Sequence, residues 1–245
     1  MKIKQMLRWN WQNSWLSLVI VYAVMVGLCL LSAILVAVVA DGDIYFNGLT
    51  FSSTVMVFIL GIVLFSQSLR FGLATGVSRR SVFWGFGVFI LFFALITVAA
   101  DFLLEKIFGL LVAPTGDLLP QIYEQYIQTS SKPAAFISLA VCSLTLKLLA
   151  GLSGFFIGGA YYRMNKALKL LVSIGVPVTL FVILPLALGM LPEESLRVLY
   201  TWLESVLVFL GSSPYHLALV VAAICILFFF FSWLFIRRAP AKPVN

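Results

Sequence analysis

The chain has 245 residues, 62% of them hydrophobic and 10% charged, with a net charge of +7 and a mean hydropathy of +1.11. Soluble domains carry about 45–50% apolar and about 25% charged residues, so this composition excludes a water-facing surface and points to a bilayer. The basic excess gathers at the ends of apolar stretches and forms no aromatic-interleaved surface, which argues against nucleic acid as a partner.

A hydrocarbon core about 30 Å thick needs roughly 20 helical residues. Residues 1–14 place Ile3, Leu7, Trp11 and Trp15 at i+4 spacing beside Lys4, Arg8 and Gln12. That pattern predicts an amphipathic helix in the membrane interface, with its tryptophans at headgroup depth. The apolar run after it is too long for a cleaved signal, so the first span is expected to remain as an anchor. The expected fold is all-α and polytopic, with a transmembrane domain over 15–237 and a short tail at 238–245. Its six spans are predicted at 15–40, 50–69, 82–100, 134–161, 168–190 and 215–236. Pro177 and Pro185 predict a kink in the fifth. Residues 101–132 read as an acidic helical extension followed by DLLPQIYEQYIQ, which is too polar to span. Residues 193–211, apolar on one face, predict an extracellular helical insertion before the last span, shallow or re-entrant and formed as a helix pair.

Charge sets the expected orientation. Lys2, Lys4, Arg8, Arg70, Arg79, Arg80, Arg163, Lys166, Lys169, Arg237, Arg238 and Lys242 all fall on one side. All nine acids fall at or beyond the opposite ends, and only Lys106, Lys132 and Arg197 are basic there. By the positive-inside rule both termini are expected in the cytoplasm.

The connection between spans two and three reads SLRFGLATGVSRRSVFWGFG, residues 68–87. Gly76 suits a left-handed helix cap and Ser78 an N-cap, so Ser68–Thr75 is expected as a short helix before a tight turn. An ordinary positive-inside loop explains the arginines equally well on physical grounds alone. Within this stretch, LRFGLATGVSRRSVFWG resembles the corresponding loop of ATP-binding-cassette (ABC) permeases of the six-helix exporter superfamily, small subunits common in Gram-positive bacteria. There a Gly-Val-Ser-Arg followed by a basic residue is typical. GFFIGGAYYRMNKALK, residues 154–169, resembles the end of helix four in the same family, and the order of elements is similar along nearly the whole chain.

The resemblance implies that this loop is a coupling helix docked on a separate ATP-binding subunit. Its surface would be Arg70, Phe71, Leu73, Ala74 and Gly76, flanked by Arg79 and Arg80. It further implies two ATP-binding subunits and a second permease, identical or similar, in the bacterial cytoplasmic membrane. ATP and Mg would be bound by the partner. The chain contains no G-x-x-x-x-G-K-[ST], so it is not expected to be an enzyme by itself. Membrane lipid is the remaining partner. A hydrophobic or cationic peptide is the cargo the analogy favours.

Lys147 is the one basic residue deep in a span, and charge there marks a candidate translocation path. The simpler alternative is a lysine at a subunit interface with its ammonium on carbonyl oxygens. Pairing with Asp101 or Glu105 would require those acids to lie deeper than the predicted end of span three. Gly151, Gly154 and Gly158 have the small-residue spacing that lets helices approach closely. Cys29, Cys142 and Cys225 lie in apolar segments without ligand spacing and read as buried thiols. The sole histidine, His216, excludes two-histidine metalloprotease motifs. Glu193, Glu194 and Arg197 resemble a prenyl-protease motif only superficially: the spacing is one residue short, the segment lies outside the predicted spans, and the further histidines of that family are missing. Two rival classes remain: an ion-coupled or passive transporter, which predicts intramembrane acid–base pairs, and a non-transporting sensor or assembly factor.

Overall fold

A computed structural model of the chain describes residues 3–39, 48–111, 118–190 and 192–237. Among the described residues the fold is all helix, with no strand. In chain order the helices are α1 (Ile3–Val39), α2 (Leu49–Ala74), α3 (Arg79–Leu111), α4 (Leu118–Ile122), α5 (Glu124–Thr129), α6 (Lys132–Arg163), α7 (Lys166–Val178), α8 (Leu184–Gly189), α9 (Glu193–Ser212) and α10 (Pro214–Arg237). Among the described residues six stretches are long and apolar enough to cross a membrane: Ile3–Leu31, Leu49–Ala74, Arg79–Gly109, Lys132–Arg163, Lys166–Gly189 and Pro214–Arg237. The expected tail, Asp41, Asp43 and Asp117 lie outside the described residues.

The helices run longer than the apolar stretches that announce them. The amphipathic N-terminal segment is helical and continues into the first span without a break, because no glycine or proline interrupts residues 3–26. Met6, Asn10, Ser14, Met25 and Cys29 form one buried stripe at helical spacing, while Trp11, Trp15, Val19 and Ile20 are exposed. The tryptophan face is thus left for lipid, and the opposite face packs on the bundle. Helix α3 likewise passes Ala100 and runs to Leu111, since Asp101–Phe108 contains only tolerable helix formers.

The centre of the bundle is the seam between α2 and α6. Lipid tails are as apolar as leucine, so helices in a membrane hold together by close packing rather than by hydrophobic burial. Gly61 on α2 and Gly151, Gly154 and Gly158 on α6 supply the closeness: a Cβ added at Gly154 would collide with the Phe58 carbonyl, and one at Gly158 would lie 2.5 Å from the Ile62 carbonyl oxygen. Phe86 of α3 stacks on Phe155 of α6, centroids 3.6 Å apart, and Phe65 of α2 tilts against the same ring at 4.9 Å. Helix α10 covers the other side of α6, with Phe228, Phe231 and Phe235 around Phe156.

The fifth span departs from regular geometry where its prolines predict it. Thr179–Ile183 form a π-helical turn between Pro177 and Pro185. Proline has no N–H to donate and its ring crowds the carbonyl four residues earlier, so the wider turn relieves that crowding. None of the residues of α7, the π turn or α8 is buried. The segment expected as a helix pair at 193–211 is instead the single helix α9, with Glu193 and Glu194 in its first turn, where the helix dipole favours acids.

Candidate functional site

Two places gather the residues singled out from the sequence. The first is the hairpin tip between α2 and α3. The separate short helix expected over Ser68–Thr75 does not form; α2 runs unbroken to Ala74, and four residues turn the chain. The caps act as expected. Gly76 is left-handed, with φ +66°, and Ser78 Oγ accepts from the Ser81 N–H at 3.3 Å. Of the seven residues expected to form a docking surface, Arg70, Ala74, Gly76 and Arg80 are exposed. Phe71 is covered by Trp9, stacked at 4.6 Å. Leu73 packs against the core. Arg79 donates from its guanidinium to the Arg237 carbonyl at 2.6 Å, tying α3 to the end of α10. Arg163 lies over the Phe235 ring at 5.7 Å. These contacts bring Lys4, Arg8, the hairpin arginines, Arg163 and Arg237 to one end of the bundle.

The second place is a buried ion pair. Lys147 Nζ donates to Asp101 Oδ2 at 2.7 Å, and the two side chains are 0% and 6% exposed. Ser53 donates to the same oxygen at 2.6 Å, and Tyr22 donates to Oδ1 at 2.6 Å. The ammonium also meets Ser53 Oγ. One carboxylate therefore joins α1, α2, α3 and α6. A bare charge in this setting is expensive, and the hydroxyls and ammonium together satisfy both carboxylate oxygens.

This replaces the expectation of a lysine at a subunit interface: Lys147 is fully buried within its own chain. Side chains on a helix lean toward its N-terminus. The α6 N-terminus lies at the end where Asp101 sits, so the lysine stem rises to meet the acid. The sequence places Asp101 just beyond span three, so its pairing with Lys147 is expected only if it lies deeper; α3 runs on to Leu111 and meets that condition. The available signal was the apolar run continuing after it, FLL then IFGLL.

Beside Asp101 a crevice of about 20 Å³ lies among Thr50, Glu105, Ser143 and Leu139, roofed by Leu119 and Pro120 of α4. That is room for about one water. Tyr123, where α4 meets α5, is buried and donates to the Leu210 carbonyl of α9 at 3.0 Å. Burial pushes its phenol up to about 12. A larger cavity of about 460 Å³ separates α1 from α2, polar at Asn13, Ser14, Ser17 and Gln67 and apolar along Val55 and Ile59. Asn10, fully buried nearby, accepts from Ser68 at 2.9 Å while its Nδ2 has no partner among the described residues.

Among the described residues no three His, Cys, Asp or Glu side chains gather as a metal site. Cys29, Cys142 and Cys225 are all buried, and among the described residues none of them forms a disulfide.

The fold and its composition define a multi-pass membrane protein with a charge pair sealed inside a helix bundle. The chain matches no family model, no curated protein and no solved structure.

Proposed function

We propose that this chain is the membrane-spanning permease subunit of an ATP-driven exporter of the ABC type. The observation that carries the reading is the loop LRFGLATGVSRRSVFWG, whose Arg70, Ala74, Gly76 and Arg80 stand exposed at a hairpin tip between two long helices. Two ATP-binding subunits holding ATP and Mg would dock there, and a second permease, identical or similar, would complete the path. The chain itself supplies no hydrolysis. The basic end of the bundle would face the cytoplasm of a bacterium, by the positive-inside rule. The cargo favoured by analogy is a hydrophobic or cationic peptide.

The fold offers a physical route for coupling. Because α2 and α3 enter the hairpin without a break, a push on its tip acts on both as levers. About 33 Å of helix separates the tip from Ser53 on α2, and about the same separates Arg79 from Asp101 on α3. At that level Lys147 holds both helices to α6, while the glycine seam keeps α2 against α6 along the way.

The test is co-purification from native membranes in mild detergent, followed by mass spectrometry. An ABC-type ATPase should accompany the native chain and be lost with Arg70→Glu/Ala74→Glu; Arg79 is left intact because it ties α3 to α10. Absence of any such ATPase under conditions that preserve known complexes would sink the family assignment.

A second reading, an ion-coupled transporter, is favoured by the Asp101–Lys147 pair, the intramembrane acid–base feature that class requires. It predicts that the purified chain alone in proteoliposomes carries a proton or sodium flux that Asp101→Asn removes. A sensor or assembly factor predicts neither result.

A further inference from the structure

At the basic end of the bundle α3 begins beside the end of α10, pinned there by the Arg79–Arg237 contact. Next to that tie lies an open groove of about 530 Å³ lined by Ser78, Arg80, Phe83, Trp84 and Trp233. Its layout is graded. Arg80 stands exposed at the rim. Its i+3 and i+4 neighbours Phe83 and Trp84 share its face of α3 one turn further into the span. Trp84 is 50% exposed. Trp233 closes the groove from α10, its ring 5.2 Å from Phe83, and Phe229 packs against Phe83 at 4.2 Å.

Arg80 has no counter-charge in the described chain. Glu105, Glu124, Glu193, Glu194 and Glu204 all lie toward the far end of the bundle, and Asp101 is occupied by Lys147. The α3 N-terminus adds positive potential at the same spot, since its first N–H groups have no helical acceptor. Below the rim everything is aromatic. An exposed arginine at the rim of an aromatic groove at the end of two spans matches a molecule with a negative head and an apolar body.

We propose that this groove binds the headgroup phosphate of an anionic phospholipid, with Arg80 on the phosphate and one acyl chain along Phe83, Trp84 and Trp233. A protein ligand is disfavoured because Phe83, Trp84 and Trp233, which line the groove, belong to the two spans, whereas Arg70, Ala74 and Gly76 stand exposed before α3 begins.

The experiment uses the full chain in nanodiscs, with Trp9, Trp11, Trp15 and Trp202 replaced by phenylalanine so that Trp84 and Trp233 report. Phosphatidylglycerol or phosphatidylcholine with brominated acyl chains is mixed into phosphatidylcholine, and fluorescence quenching is followed. The anionic lipid should quench at about fivefold lower mole fraction, the preference of roughly one surface arginine. Arg80→Gln should abolish that preference, Arg80→Lys should retain most of it, and Arg70→Gln should leave it unchanged. Equal quenching by the two lipids overturns the proposal. So does a preference that survives Arg80→Gln, including the case where that variant instead loses a co-purifying ATPase, which would assign Arg80 to a protein contact.

Discussion

Lys147→Met tests how the bundle is held together. The substitution keeps the length of the stem and removes the ammonium, leaving Asp101 buried with only the Tyr22 and Ser53 hydroxyls. Removing one partner of a buried pair costs about 3–5 kcal/mol, and the two remaining donors favour the lower end. In a chain of this size each kcal/mol moves the thermal midpoint by about 2–4 °C, so a drop of about 6–12 °C is expected. The double variant Lys147→Met/Asp101→Leu should recover most of it. Tyr22 keeps the Thr97 carbonyl at 3.1 Å and Ser53 keeps the Thr50 carbonyl at 3.0 Å, so neither hydroxyl is orphaned. Thermal unfolding of the purified variants in one detergent, followed by intrinsic fluorescence, reads both shifts. A single variant that moves the midpoint by less than about 2 °C, or a double variant worse than the single, would refute the role assigned to the pair.

Gly154→Ala should destabilise by about 1–3 kcal/mol, because the obstacle is the Phe58 carbonyl of α2 rather than a movable side chain. Gly27→Ala, where nothing lies within 4 Å, should be neutral or gain up to about 1 kcal/mol, and paired melting curves compare the two. Tyr123→Phe removes the bond to the Leu210 carbonyl and should cost about 1 kcal/mol at neutral pH. Because the folded phenol is raised from 10 to about 12, its contribution is complete below pH 10 and lost as pH rises from 10 to 12. A melting series over that window should show a decline in the native chain that is reduced in the variant. Cys29, Cys142 and Cys225 should resist maleimide in the folded state and react after denaturation, read by intact mass. Rapid labelling of Cys142 would contradict its burial.

Six spans were legible because length and hydropathy are one-dimensional properties. So were the left-handed Gly76, the Ser78 cap and the irregular fifth span, each fixed by residues within a few positions of one another. What escaped the sequence was long-range or concerned where helices stop. A membrane helix ends where backbone groups meet water or a breaker, not where apolarity fades, so α3 runs past Ala100, and the interfacial helix and the first span join as one helix, α1. With Asp101 placed beyond the end of span three, its pairing with Lys147 stayed conditional on depth, and the longer α3 supplies that depth. The stacking of Phe71 on Trp9 was hidden, because it joins segments far apart in sequence. It removes Phe71 from the expected docking surface, as core packing removes Leu73 and the Arg237 carbonyl engages Arg79, and it leaves Arg70, Ala74, Gly76 and Arg80 exposed.

The two functional readings make opposite demands on the ion pair. In an ATP-driven permease the hairpin supplies the force, and the pair can remain closed throughout, a rivet that keeps α2 and α3 moving with α6. Apolar groups of matching size should then serve as well, and Lys147→Met/Asp101→Leu should preserve both partner binding and cargo-stimulated ATPase activity. In an ion-coupled carrier the pair must open in every cycle, so the same double variant should fold and yet carry nothing. The arrangement of donors favours the rivet. Asp101 is held by three groups on three different helices, Tyr22, Ser53 and Lys147, so releasing the carboxylate would require α1, α2 and α6 to let go together. A carboxylate that exchanges ions in each cycle is better served by fewer anchors and a wider approach than a crevice with room for about one water.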